Sequence, residues 1–184
     1  MLMKRNIMMS LFGNDISSVA MDVEFQTKDR LRWDTSLGDL IFSRQYLQIT
    51  TIVPSTSVYG FGEHEHPSFK HNMNFVNYAM FSRDQPPTPF TNLYGVHPFY
   101  MCIENDSNAH GILLLNSNAQ DITLSPNPSL TFRIIGGILD FYVFLGPTPE
   151  YVVQQYTEVS RELAAAHRIM YCKETLNYPY CQII

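Results

Sequence analysis

Charge is scarce in this chain. Asp, Glu, Lys and Arg make up 16% of its 184 residues, and the balance is acidic, −5 at neutral pH. A nucleic-acid binder needs a basic stripe to neutralise phosphates, and the sequence has none. Cysteine is scarce too: Cys102, Cys172 and Cys181. Any single disulfide leaves one thiol over, and the spacings match no zinc motif. Cys102 lies in an apolar run, which predicts a buried free thiol. No stretch approaches the ~20 apolar residues of a membrane span. The apolar run within Met1 to Phe12 is too short for a signal-peptide core, and no small-residue cleavage site follows. No Gly-rich phosphate loop, nucleophile elbow or Ser/His/Asp arrangement is legible, so no cofactor is predicted.

Aromatics are plentiful, with twelve Phe and eleven Tyr. They favour strands and cores, although they also stack on sugar rings. The length suits one domain with a sizeable core. Val19, Met21, Val23 and Phe25 alternate with mostly polar residues and read as a half-buried strand. Leu31 to Trp33 extends a hairpin, and Asp39 to Phe42 is a short strand. From Gln45 to Val53, Leu47, Ile49, Thr51 and Val53 share one face. Further strands are expected at His97–Glu104, Gly111–Leu115, Gln120–Leu124, Leu130–Ile135 and Ile138–Leu145. Asn105-Asp106-Ser107-Asn108 and Pro126-Asn127-Pro128 are turn chemistry, and Gly136-Gly137 fits a tight hairpin. Many short strands at regular spacing predict an all-β sandwich.

One helix is well marked. Thr148 is placed as N-cap, Pro149 takes the first helical position and Glu150 complements the dipole. Val152, Tyr156, Val159 and Leu163 form its apolar stripe. The pattern reaches Ala166. Beyond His167 the period is lost, and Cys172 to Ile184 reads as an irregular tail.

The chain is organised around Tyr59-Gly60-Phe61-Gly62-Glu63-His64 and the loop that follows it to Leu93-Tyr94-Gly95. Two glycines between two aromatics mark a bulge or a close backbone approach. The next ~30 residues are too long for an ordinary turn, and long ordered loops on a sheet usually carry function. Several readings stand for its residues. His64 and His66 would share a strand face and, with His71, Glu63 and Glu65, form a metal site, or they are hydrogen-bonded loop histidines with no metal. Glu63 and Asp84 form an acid/base pair, or two unrelated carboxylates. Tyr59 and Phe61 stack on sugar, or fill the core. Asn105-Asp106-Ser107 is a glycosylation sequon, which matters only in a secreted chain.

Val58-Tyr59-Gly60-Phe61-Gly62-Glu63-His64 resembles the signature in the N-terminal β-sandwich of glycoside hydrolase family 31, and within it the maltase-glucoamylase and sucrase-isomaltase group. Ser82-Arg83-Asp84, Thr91-Asn92-Leu93-Tyr94-Gly95 and Leu114-Leu115-Asn116-Ser117-Asn118-Ala119 are similar to successive landmarks of that domain. The run from Ile134 through Gly136-Gly137 to Phe144, with the helix after it, is the most specific match. The likeness covers about Leu11 to about Val159, with a gap near Arg32-Trp33-Asp34.

The resemblance implies an incomplete galactose-mutarotase-like sandwich, a trailing helix and a tail. It divides the chain into a leader of unknown role (1–10), the sandwich domain with its helix (11–166) and an unrelated tail (167–184). In the family the sandwich packs on a (β/α)₈ barrel that supplies both catalytic aspartates for retaining cleavage of α-linked glucose. The sandwich lends the barrel one loop, whose aspartate hydrogen-bonds sugar hydroxyls. Asp84 is the matching residue here. The chain is too short after the sandwich to hold such a barrel. Gln85-Pro86-Pro87 stands where the family has a threonine-bearing stretch, and Pro86 offers a sugar no hydroxyl and no N–H. The resemblance therefore implies a truncated, non-catalytic relative of an extracellular or cell-surface α-glucosidase. Its ligand would be an α-linked gluco-oligosaccharide, weakly held, and its natural partner a barrel domain. The alternatives are a stand-alone carbohydrate-binding module, or a partner-binding or unstable product.

Overall fold

The structure is a computed structural model that describes residues 40–43, 45–82 and 86–174. Nine strands and one helix occur among these residues. They are β1 (Ile41–Ser43), β2 (Tyr46–Ile52), β3 (Ser57–His64), β4 (Val76–Met80), β5 (Asn92–Ile103), β6 (Ala109–Leu114), β7 (Gln120–Ser125), β8 (Ser129–Ile134), β9 (Phe141–Phe144) and α1 (Pro149–Glu174). The strands form two antiparallel sheets. One has the order β1-β2-β8-β7-β4 and the other β3-β5-β6-β9. The strands expected at Val19–Phe25 and Leu31–Trp33 lie outside the described residues.

Period-two alternation sets the core. In β2, Leu47, Ile49 and Thr51 are buried, and Val53 follows them inward. In β7, Gln120, Ile122 and Leu124 turn in while Asp121, Thr123 and Ser125 stay half-exposed. Leu130, Phe132 and Ile134 of β8 meet Val58, Tyr100, Cys102, Ile112 and Leu114 of the other sheet in one apolar cluster. This is the interdigitation by which two stacked sheets exclude water. Cys102 is a buried free thiol, as its apolar setting predicts, and burial pushes its pKa up so that it stays protonated.

The four-stranded sheet is covered on both faces. Its second face carries Ala109, Leu113 and Phe144, and α1 lays Val152, Tyr156 and Val159 over them. Phe99 stacks on Tyr156 with ring centroids 4.1 Å apart. Gly111 allows this approach, because a Cβ there would stand 2.7 Å from Val152 Cγ1 and 2.8 Å from Phe99 Cε2. Thr148 does cap the helix: its Oγ1 accepts from Tyr151 N–H at 3.4 Å. Leu163 lies beyond the described side chains.

Three expectations need correction. The long loop is not strand-free. β4 lies inside it and pairs with β7 from Val76↔Leu124 to Met80↔Gln120, burying Met80. Gly136-Gly137 is not a hairpin turn, because β8 and β9 belong to different sheets. The segment crosses between them, laced by Asn116, whose Nδ2 donates to Gly136 O (3.0 Å) and Ile138 O (2.9 Å). Finally, α1 continues to Glu174, past Ala166 and into the stretch read as tail. Arg168, Met170, Lys173 and Glu174 are good helix formers, and no Gly or Pro intervenes before Pro179.

Candidate functional site

The glycine-marked end of β3 is bulged. Its register against β5 shifts between Gly60 and Gly62 and again between Gly62 and His64. Gly60 has φ +116°, and a Cβ there would press on Phe99 O and stand 2.9 Å from Tyr100 Cα. The glycine is there because another backbone is. The next residue, Phe61, has φ 54° and is fully buried, with its ring against Tyr100 (5.7 Å) and His71 (5.5 Å). Of the two aromatics considered for sugar stacking, Phe61 is therefore core. Tyr59 is half-buried.

The bulge fixes both feet of the long loop. On the outgoing side, His71 N–H donates to Val58 O at 2.9 Å. The His71 ring, only 4% exposed, bonds Gly60 O through Nε2 (2.8 Å) and Tyr78 through Nδ1 (3.0 Å). Gly60 O can only accept, so Nε2 carries the proton and Nδ1 accepts from the Tyr78 hydroxyl. That assignment is a neutral imidazole. On the returning side, Glu63 Oε2 accepts from Gly95 N–H at 2.8 Å, and Asn92 Nδ2 donates to Gly95 O at 3.0 Å. His64 ties β3 to β4: Nδ1 lies 3.0 Å from Phe61 O and Nε2 3.0 Å from Ala79 O.

His64, His66 and His71 do come together, with ring centroids 5.7 Å apart for the first pair and 4.8 Å for the second. They do not converge as ligands. Both ring nitrogens of His64 and His71 face backbone carbonyls or the Tyr78 hydroxyl. No group of three His, Cys, Asp or Glu side chains among the described residues is arranged to hold a metal ion. The cluster reads as the hydrogen-bonded alternative: it is a brace.

The brace has an electrostatic consequence. Burial pushes the His71 pKa down to about 4, against the pull of the Gly60 carbonyl, and the neighbouring His66 and His64 rings lower it further. Burial also lowers His64, with its two carbonyl partners opposing. Between pH 6.5 and 4 the unfolded chain binds a proton at residue 71 that the folded chain does not. Stability should therefore rise with pH through this window, by at most about 3 kcal/mol for His71. Urea midpoints measured from pH 4 to 7 check this. His71→Gln, which keeps a donor and an acceptor but cannot titrate, should flatten the profile; an equally steep profile in the variant would contradict the assignment.

Asp84, the sugar-contact candidate, lies outside the described residues, as do Arg83 and Gln85. No distance from Glu63 to Asp84 follows, but Glu63 is already engaged as a loop pin. Sequence reasoning missed the loop's exposed aromatics. Phe69 is 94% exposed, Phe75 and Phe90 72% each, and Phe81 61%. Phe75 and Phe90 also have positive φ, 54° and 63°. Four phenylalanines among Pro, Asn and Ser in a loop were the available signal, since the nearby strands account for the other aromatics.

Comparison with known proteins agrees with this geometry. The family model for the glycosyl hydrolase 31 N-terminal galactose mutarotase-like domain matches residues 23–122. Sucrase-isomaltase of Oryctolagus cuniculus is 48% identical over 162 residues, covering 88% of this chain and 9% of that protein. Probable maltase-glucoamylase 2 of Homo sapiens is 52% identical over 151 residues, covering 81% and 6%. Lysosomal alpha-glucosidase of Mus musculus is 48% identical over 130 residues, covering 71% and 14%. Among solved structures, a Flavobacterium johnsoniae GH31 dextranase complexed with glucose superposes with a TM-score of 0.50 at 19% identity, covering 64% of this chain and 14% of that one. The fold is thus shared with that enzyme. The chain spans only 6–14% of the length of these curated relatives. It belongs to the family of glycosyl hydrolase 31 N-terminal galactose mutarotase-like domains.

Proposed function

We propose that this chain acts as the supporting N-terminal domain of a family 31 α-glucosidase and is non-catalytic by itself. It lends the loop between β3 and β5 to a substrate pocket that a (β/α)₈ barrel completes. The observation that carries this reading is the double anchoring of the loop, by His71 on Gly60 and Glu63 on Gly95. A loop whose feet are fixed can present a side chain to a neighbouring domain at little entropic cost. In this reading the exposed Phe69, Phe75 and Phe90 face that neighbour, and Asp84 accepts hydrogen bonds from two adjacent sugar hydroxyls. Such bonds to a charged acceptor contribute about 1.5–3 kcal/mol each when shielded from water. The substrate class is an α-linked gluco-oligosaccharide. The parent enzyme works at the cell surface or outside the cell, on the secretory route. A bland reading of Asp84 competes with this one: it pairs with Arg83 or caps a turn.

A graft separates the two. Residues 11–159 are joined to the barrel of a related α-glucosidase, and the active chimera is compared with its Asp84→Ala variant. The specificity constant for maltose should fall about tenfold or more, equal to ~1.4 kcal/mol of transition-state binding. An active chimera whose specificity constant ignores the substitution would refute the role.

The same aromatics favour a second reading, a stand-alone carbohydrate-binding module, because exposed rings can stack on sugars. Phenylalanine brings no hydroxyl to orient a ligand. The supporting-domain reading is therefore preferred.

A further inference from the structure

The hairpin joining β5 to β6 carries the triplet Asn105-Asp106-Ser107. It is the one Asn-X-Ser/Thr sequence in the chain with X other than proline; Asn127, the near miss, is followed by Pro128. Residues 105–108 are all exposed. Backbone bonds and the Asp106 carboxylate hold the turn. Glu104 N–H donates to Asn108 O (2.7 Å) and Ser107 N–H to Glu104 O (3.1 Å). Asp106 accepts from the Asn108 backbone N–H (3.0 Å) and from its side-chain amide (2.7 Å). The Asn105 amide contributes one bond, from Nδ2 to Pro54 O at 3.2 Å. A primary amide has two N–H groups, and this bond uses only one. Placement also favours modification. β5 is twelve residues long and separates this turn from the Asn92 end of the long loop by roughly 35 Å.

We propose that Asn105 is a site of N-linked glycosylation. The donor class is an oligosaccharide carried on a lipid pyrophosphate. Asn105 Nδ2 bonds to the anomeric carbon of the first sugar as that carbon's bond to the pyrophosphate oxygen breaks. Nδ2 gives up one proton, and the lipid pyrophosphate leaves. The remaining N–H keeps its bond to Pro54 O, so the hairpin accepts the glycan without rebuilding. The glycan lies at the opposite end of β5 from the Asn92 foot of the loop. The proposal rests on the reading that the parent protein travels the secretory route, but the site can be tested apart from it.

The full chain is expressed in cultured mammalian cells behind an added secretion signal, which delivers it to the modifying compartment whatever its natural address. Gel mobility is compared before and after treatment with a peptide:N-glycosidase, and mass spectrometry locates the modification. One glycan is expected. It should vanish completely in Asn105→Gln and in Ser107→Ala, and persist in Asn127→Gln. Ser107→Ala leaves the Asn105–Pro54 contact in place, so its result does not depend on that contact. An unmodified chain beside a fully glycosylated reporter would overturn the proposal, as would a glycan that survives in Asn105→Gln. Either failure concerns the hairpin site alone, whereas modification or its lack without the added signal reports on the secretory-route reading.

Discussion

On its own this chain should release no glucose from maltose or from a chromogenic α-glucoside. Retaining hydrolysis needs a nucleophile and an acid, two carboxyl groups about 5–5.5 Å apart across one glycosidic bond. Four of the described carboxylates are committed to the fold. Glu63 pins Gly95, Glu104 accepts from His110 Nδ1 at 2.7 Å, Asp106 holds Asn108, and Arg133 donates to Asp121 at 2.9 Å. Each sits in its own turn or strand pair and serves the fold there. Removing both catalytic carboxylates leaves only binding effects, and the substrate is not enclosed. Glucose release should match a mock purification. Turnover that follows the protein through successive columns would mean that a catalytic pair exists in this chain.

The largest stability effect is expected at Gly60. Gly60→Ala puts a Cβ against two backbone atoms of β5, Phe99 O and Tyr100 Cα, at a φ of +116° that L-residues rarely adopt. Backbone cannot swing aside as the end of a side chain can. Relief requires β3 and β5 to separate, which also moves Gly60 O away from His71 Nε2 and Phe61 out of the core. The loss should exceed about 3 kcal/mol, enough to unfold a marginal domain. Gly136→Ala is the control. Its φ is ordinary, and the nearest atom to a Cβ there is Asn118 Oδ1 at 3.6 Å, an ordinary contact. It should shift the urea midpoint little, within about 1 kcal/mol. Equal shifts for the two variants would remove the close-approach argument.

Much of the sandwich is written locally. Leu47, Ile49, Thr51 and Val53 declare β2 by alternation, Ile122 and Leu124 do so for β7, and Thr148-Pro149-Glu150 announces the helix. The glycine pair announced the bulge for the right reason, a backbone in the way. What failed was the choice of partner. Gly136-Gly137 has hairpin chemistry, but a turn signal does not say which sheet the chain enters next. The better clue was the apolar run Phe141-Tyr142-Val143-Phe144. Such a strand suits a sheet covered on both faces, and β6, with Leu113 and Leu114 turned to opposite sides, is the strand that offers one. β4 was hidden because its inward set, Val76, Tyr78 and Met80, is short and sits among His, Asn and Pro.

The site was legible to a different depth. The motif located the loop, and the resemblance selected Asp84. The work of the histidines was not visible, because their partners are the carbonyls of Gly60, Phe61 and Ala79, and carbonyls carry no sequence signature. The loop phenylalanines gave a signal in their setting among Pro, Asn and Ser, but their degree of exposure is a property of what is absent around each ring.

The most direct test of the supporting-domain account is a calorimetric titration of the isolated chain with maltose. The account predicts a Kd no tighter than about 1 mM, near −4 kcal/mol, because Asp84 without a barrel wall competes with water for every sugar hydroxyl. A Kd in the micromolar range, about −8 kcal/mol, would contradict it and establish the chain as a carbohydrate-binding module in its own right.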